Sequence, residues 1–124
     1  MRRNEGFTMI ELLVTLAIIG MMVAVAAPRY FGNLDRTKED VLREDLYILR
    51  SAIDHYYADK NVYPNELADL VKEKYLRSVP VDPFTQSAHS WHPSAPDDPA
   101  LGAVADVHST APGPARDGTM FTDW

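Results

Sequence analysis

The chain of 124 residues carries 12 Lys and Arg against 18 Asp and Glu, a formal net charge of −6. That balance argues against a nucleic-acid binder, which needs clustered positive charge to displace phosphate counterions. The absence of cysteine excludes disulfide scaffolds, thiol nucleophiles and cysteine-based zinc sites.

The hydrophobic share of 46% is ordinary, but much of it sits in one run near the start. Residues 12–27, LLVTLAIIGMMVAVAA, include no charge, and residues 7–28 are interrupted only by Glu11. At about 1.5 Å rise per residue, some 20 helical residues cover the ~30 Å hydrocarbon core of a bilayer. Thr15 can return its hydroxyl to the preceding turn, and Gly20 costs little where neighbouring helices pack closely. Arg2 and Arg3 precede the run, whereas Arg29 and Arg36 beyond it are offset by Asp35 and later acids, so the N-terminus is expected on the cytoplasmic side.

Two processing patterns compete at this run. A secretory signal would use the basic start, the apolar stretch and Ala24-Val25-Ala26 as its small-residue cleavage site, leaving a soluble secreted binding module. It must then accept Glu5 and Glu11 in its leading part. The alternative cut lies before the run. The leader MRRNEG ends in glycine, Phe7 follows, and Glu11 stands four residues further on inside the apolar stretch. This segment resembles the prepilin processing site of type IV pilins and type II secretion pseudopilins. The resemblance implies cleavage between Gly6 and Phe7 by a bifunctional prepilin peptidase, which also methylates the new amine of Phe7. Glycine before the scissile bond has no Cβ, which lets a protease approach the backbone closely.

A carboxylate inside a membrane span is costly unless paired or protonated, which makes Glu11 a functional candidate. Its expected partner is the freed α-amino group of Phe7 on a neighbouring subunit, a pairing that sets axial register because a mis-stacked copy leaves a charge uncompensated. The plainer alternative places Glu11 at the headgroups, where it snorkels.

Beyond Pro28 the helical pattern continues. Leu34, Val41, Leu42, Leu46, Leu49, Ile53 and Tyr56 follow three- and four-residue steps apart from one gap, with Asp35, Lys38, Glu39, Arg43, Glu44 and Arg50 on the other faces. The spacing predicts one long helix over about residues 7–57, kinked or loosened near Pro28 and Gly32. The stripe is expected to seat a soluble domain, since about two heptads fall short of a coiled-coil seam.

Asn61-Val62-Tyr63-Pro64 breaks the helix, and Asn65 is a good N-cap for a short second helix, NELADLVKEKYL. Val79-Pro80-Val81-Asp82-Pro83-Phe84 follows as an extended turn entry. Strands are expected near residues 87–92, 103–108 and 119–123, with 93–99 a loop. The Tyr-Pro, the short helix and the Pro-x-Asp-Pro-aromatic run extend the resemblance to the major (G-type) pseudopilins of type II secretion. It implies an α+β fold: a long N-terminal helix, membrane-spanning in its first half and packed by its second half on a small antiparallel sheet domain. It also implies a calcium ion in the last loop, for which Asp117 and Asp123 are the candidate ligands. Pro112-Gly113-Pro114-Ala115 stands where a more acidic stretch would be expected, and the alternative is a solvated turn with Trp124 closing the core.

His89 and His92 would face opposite sides of a strand and His55 and His108 are isolated, so the histidines read as surface residues. The tyrosines read as packing residues. No nucleophile elbow, Walker loop or paired-carboxylate cleft is present, and the chain is not expected to be an enzyme. The resemblance therefore implies a leader at 1–6, a transmembrane and filament-core helix at 7–28 and a periplasmic domain at 29–124. It implies a single-pass inner-membrane protein with its C-terminal domain in the periplasm, which polymerises with itself. Its further partners would be the minor pseudopilins and the inner-membrane assembly platform. The rival within the class is a type IV pilus subunit, which often carries a disulfide that this chain lacks.

Overall fold

A computed structural model of the chain describes residues 6–124; the leader positions Arg2, Arg3 and Glu5 lie outside the described residues. Helix α1 runs Met9–Lys60, 52 residues without interruption at Pro28 or Gly32. At 1.5 Å per residue that is about 78 Å of helix. Proline lacks the N–H that would bond the carbonyl of Ala24, but its fixed φ is itself helical, so a long helix can absorb one. The helix ends at Asn61, whose φ of 58° is the left-handed conformation that asparagine tolerates better than most residues, and the Asn61 N–H donates to the Tyr57 carbonyl.

The chain divides into two compact units, Met1–Asp35 and Arg36–Trp124. The described part of the first is a single apolar helix with almost every side chain exposed, long and apolar enough by length and composition to cross a membrane. An exposed apolar helix of that length fits a single-pass membrane anchor.

The second unit holds the core. Leu42, Leu46, Leu49 and Ile53 of α1 are buried at the expected 4-3-4 spacing, joined by Ala52, and Tyr56 packs beside them. Leu34 and Val41, which the period also placed on the stripe, remain exposed. Facing the stripe are Leu70, Trp91, Val104, Val107, Ala111, Ala115 and Phe121. Each fully buried Leu or Ile contributes about 1.5–3 kcal/mol relative to exposure. Trp91 is buried with its Nε1–H donated to the Pro80 carbonyl at 2.8 Å, so its polar edge is satisfied. The tyrosines at the helix exit pack in pairs: Tyr57 stacks on Tyr63 at 4.4 Å between centroids, and Tyr56 meets Tyr75 at 5.4 Å.

Helix α2 is shorter than expected, Leu67–Lys72, with Glu66 rather than Asn65 at the N-cap. The Asp69 carboxylate accepts the N–H groups of both Asn65 and Glu66, which shifts the start by one residue. Its end is set by Lys74 at φ 65°: Lys74 N–H donates to Val71 O and Tyr75 N–H to Leu70 O, the paired bonds of a Schellman turn. That turn swings Tyr75 and Leu76 against the core, so the sequence EKYL leaves the helix.

The sheet differs from the expected three strands. Strands β1 (His92–Ser94) and β2 (Asp106–His108) pair antiparallel with His92 opposite His108, Pro93 opposite Val107 and Ser94 opposite Asp106. Residues 87–91 fall outside β1, and Pro93, expected in a loop, lies within it. In a two-stranded sheet both strands are edges, where a residue without a donor is tolerated. The expected third strand is replaced by a single bridge, Pro114 with Met120, and a 3₁₀ turn over Phe121–Asp123. On that turn Phe121 is buried in the core against Phe84 at 4.4 Å.

Asp82, read from sequence as part of a turn entry, is the buried centre of this region. Its Oδ1 accepts the N–H groups of Phe84 (2.8 Å) and Thr85 (3.3 Å), and its Oδ2 accepts the Ser109 hydroxyl at 2.5 Å. Ser109 Oγ in turn accepts the Ala111 N–H. The Pro-x-Asp-Pro-aromatic loop is thereby tied to the segment after β2.

Candidate processing and assembly site

The residues singled out near the start lie together because they are consecutive. Gly6, Phe7 and Thr8 precede α1 and are not helical, and Phe7 is 88% exposed. A Cβ built on Gly6 would meet nothing within 4 Å. The Gly6–Phe7 peptide bond is therefore in an open, non-helical segment that a peptidase could take up in extended form. One residue later the chain is committed to helix.

That commitment has a local cause that the sequence reading missed. Glu11 N–H donates to Thr8 Oγ1 at 3.2 Å, and Thr8 N–H donates to Glu11 Oε2 at 3.2 Å. This is a reciprocal capping box, and its signal, Thr8-x-x-Glu11, is in the sequence. Two of the four orphan donors of the helix start are thereby satisfied, and the carboxylate sits where the positive end of the helix dipole favours it. Thr15 returns its hydroxyl to the Glu11 carbonyl at 2.7 Å, as its place in the apolar run implied. Glu11 is therefore not a bare charge on an oily rod. Within its own chain it is held at the first turn, one carboxylate oxygen on a backbone amide next to Phe7.

The C-terminal candidates are arranged differently from a cation cage. Asp117 Oδ1 accepts the Thr119 N–H (3.0 Å) and the Thr119 hydroxyl (2.6 Å), and Oδ2 lies 3.5 Å from Arg43. The hydrogen bonds from Thr119, followed by the Arg43 charge, hold its carboxyl below the usual carboxylate range. Asp123 is exposed on the last 3₁₀ turn. Among the described residues no group of three His, Cys, Asp or Glu side chains could hold a metal ion. The donor set does not fit the calcium expected from the resemblance, because Asp117 already has an internal partner for each oxygen.

Trp124 does close this face of the core. Its ring meets Phe121 edge-on at 5.1 Å, its Nε1–H donates to Thr119 Oγ1 at 2.7 Å, and the Arg43 guanidinium lies 4.1 Å above the indole. His55, His89 and His92 are exposed. His108, isolated in sequence, is half-buried, opposite His92 in the sheet, with Nδ1 2.7 Å from the main-chain oxygen of Trp124 and Nε2 3.6 Å from Asp106.

The family model "Prokaryotic N-terminal methylation motif" matches residues 1–27. Type II secretion system core protein G of Pseudomonas aeruginosa is 31% identical, the match covering 67% of this chain and 70% of the relative. The protein of the same name from Vibrio cholerae is 33% identical over 68% of each chain. That of Escherichia coli is 29% identical over 66% of this chain and 68% of the relative. No solved structure matches.

Proposed function

The chain belongs to the type II secretion system core protein G family, the major pseudopilins, and from that membership we propose how its residues serve filament assembly in the periplasm. It is a structural subunit and not an enzyme. The leader, residues 1–6, is removed between Gly6 and Phe7 by a prepilin peptidase, and the amine of Phe7 is then methylated. Residues 7–28 hold the mature subunit in the inner membrane, with the N-terminus on the cytoplasmic side and residues 29–124 in the periplasm. The observation that carries this reading is the open Gly6–Phe7 junction directly ahead of a capped helix whose apolar first half is exposed.

During assembly that helix leaves lipid for the helices of neighbouring copies. Lipid tails are as apolar as leucine, so the exchange is nearly neutral in hydrophobic terms, and packing and polar contacts must supply direction. Glu11 is suited to supply register. Its carboxylate is fixed by the capping box at the first turn, so a neighbour's cationic Phe7 amine meets a charge at a defined height. Burial of that charge without the amine would cost several kcal/mol. The minor pseudopilins and the inner-membrane assembly platform are the remaining partners in this reading, and the growing filament moves protein cargo outward. This reading calls on no calcium ion, since Asp117 is engaged by Thr119 and Arg43.

Intact mass and N-terminal sequencing of the protein recovered from membranes test the processing step. A start at N-methylated Phe7 is expected, and a start near Ala27 would overturn the proposal. Glu11→Ala should leave membrane insertion intact and reduce filament yield at least tenfold in a shearing or crosslinking assay. Normal yield would remove the register role.

A further inference from the structure

Arg50 stands at the centre of three oxygens that come from the far end of the chain. Its Nε–H donates to Asp106 Oδ1 at 2.8 Å, and its Nη2 donates to the Val107 carbonyl at 3.0 Å and to the main-chain oxygen of Trp124 at 2.6 Å. One carboxylate and two main-chain oxygens gathered about a positive charge form the start of a calcium-type donor set, in which hard oxygens converge from a loop. Here the charge at the focus is a guanidinium fixed to α1. We propose that Arg50 is a built-in cation that organises the C-terminal loop, occupying the oxygens that a divalent ion would otherwise gather, so that this domain is structurally independent of calcium.

The arrangement is held from several sides. Asp106 Oδ1 also accepts the Val107 N–H at 2.7 Å, which fixes the carboxylate at the start of β2. The Trp124 oxygen is shared with His108 Nδ1. Arg43, seven residues before Arg50 and so two turns along the same face of α1, covers the Trp124 ring. One helix face thus presents two guanidiniums to one terminal residue, Arg43 to its indole and Arg50 to its main chain. A divalent ion brought to the same oxygens would stand against the Arg50 charge at a few ångströms, where like charges repel strongly even with solvent screening. The planar fork also explains why arginine suits the position: it meets oxygens on two different segments at once, which a lysine point charge cannot do in the same geometry.

The test uses the full chain in detergent micelles, melted in millimolar calcium chloride or in EGTA, with tryptophan emission recorded in parallel. Wild-type Tm is expected to agree between the two conditions to within about 1 °C. Arg50→Ala should lower Tm by about 10 °C, on the scale of shifts typical for a domain of this size, and should move the Trp124 emission to longer wavelength. Arg50→Lys, which keeps the charge and loses the fork, should fall between them. A wild-type Tm several degrees higher in calcium than in EGTA would overturn the proposal, as would an Arg50→Ala protein that melts and fluoresces like wild type. Should Arg50→Ala not fold, Arg50→Lys and the wild-type comparison decide: a calcium-dependent wild type or an unperturbed lysine variant refutes the internal-cation role. None of these outcomes depends on whether the subunit is processed at Phe7.

Discussion

Removing the Asp82 carboxylate is the sharpest perturbation available in the second unit. Asp82→Ala would strand the Phe84 and Thr85 N–H groups and the Ser109 hydroxyl at a site with no solvent exposure. Hydrogen bonds to a charged group contribute about 1.5–3 kcal/mol each, and a buried donor left unpaired carries a further desolvation cost. Because the three bonds share one carboxylate and are not additive, a loss of about 4 kcal/mol is expected. Domains of this size have total stabilities of about 5–15 kcal/mol, and each kcal/mol lost lowers Tm by about 4–8 °C. The variant should therefore melt about 20 °C below wild type. Asp82→Asn keeps an oxygen for the two amides but turns a donor toward the Ser109 hydroxyl, and should lose about a third of that amount.

The same pair of variants has a second readout at Asp45, whose pKa is raised above its ordinary 3.8 by burial first, then by the Asp82 charge, then by Glu44. A carboxyl with a raised folded pKa binds its proton more tightly in the folded state, so its contribution to stability falls as pH climbs from about 4 through the raised value. Neutralising Asp82 should bring the Asp45 midpoint down without restoring it fully, as followed by NMR titration, and should flatten that part of the pH profile. If Asp82→Ala melted within a few degrees of wild type, or if the Asp45 midpoint did not move in Asp82→Asn, the assignment of Asp82 as a buried charged anchor would be wrong.

Other perturbations probe separate contacts. Gly102 has φ 123°, and a Cβ there would collide with the Tyr63 carbonyl, at the crossing where Tyr63 N–H meets Leu101 O and Val104 N–H meets Pro64 O. Gly102→Ala should cost about 2–4 kcal/mol through strain and the displaced backbone bonds, read as a lowered Tm; a variant as stable as wild type would contradict the close approach. Tyr75 donates to Asp59 at 2.6 Å, and this hydrogen bond, chiefly, pushes its pKa up to about 12. Its folded state holds the proton longer than the unfolded chain does, so this contribution is complete below pH 10 and is lost between about 10 and 12. Ultraviolet titration should show one late tyrosine that disappears in Tyr75→Phe, and a uniform transition near 10 would refute the bond.

What the sequence determined by itself is what short-range physics governs. The apolar length sufficient for a membrane, the position of Gly6, Phe7 and Glu11, and the 4-3-4 stripe through Leu42 and Ile53 depend on residues close together in the chain. The Thr8–Glu11 box belongs to the same class, because its four-residue signal is explicit in the sequence. By contrast, the helical period could not say how much of the stripe is covered, and Leu34 and Val41 stay exposed although they satisfy it.

Tertiary structure alone decided the rest. The Arg50 contacts join residues 56 to 74 positions apart, and the Asp82–Ser109 bond joins residues 27 apart. Propensity weighed against Pro93 in a strand and for a strand at 119–123, but both were overruled by what the core required: a partner for β2 on one side and Phe121 turned inward on the other. A proline or a three-residue strand carries too little local preference to choose. The choice is made by the side chains that distant segments bring to it, and no window of sequence contains them.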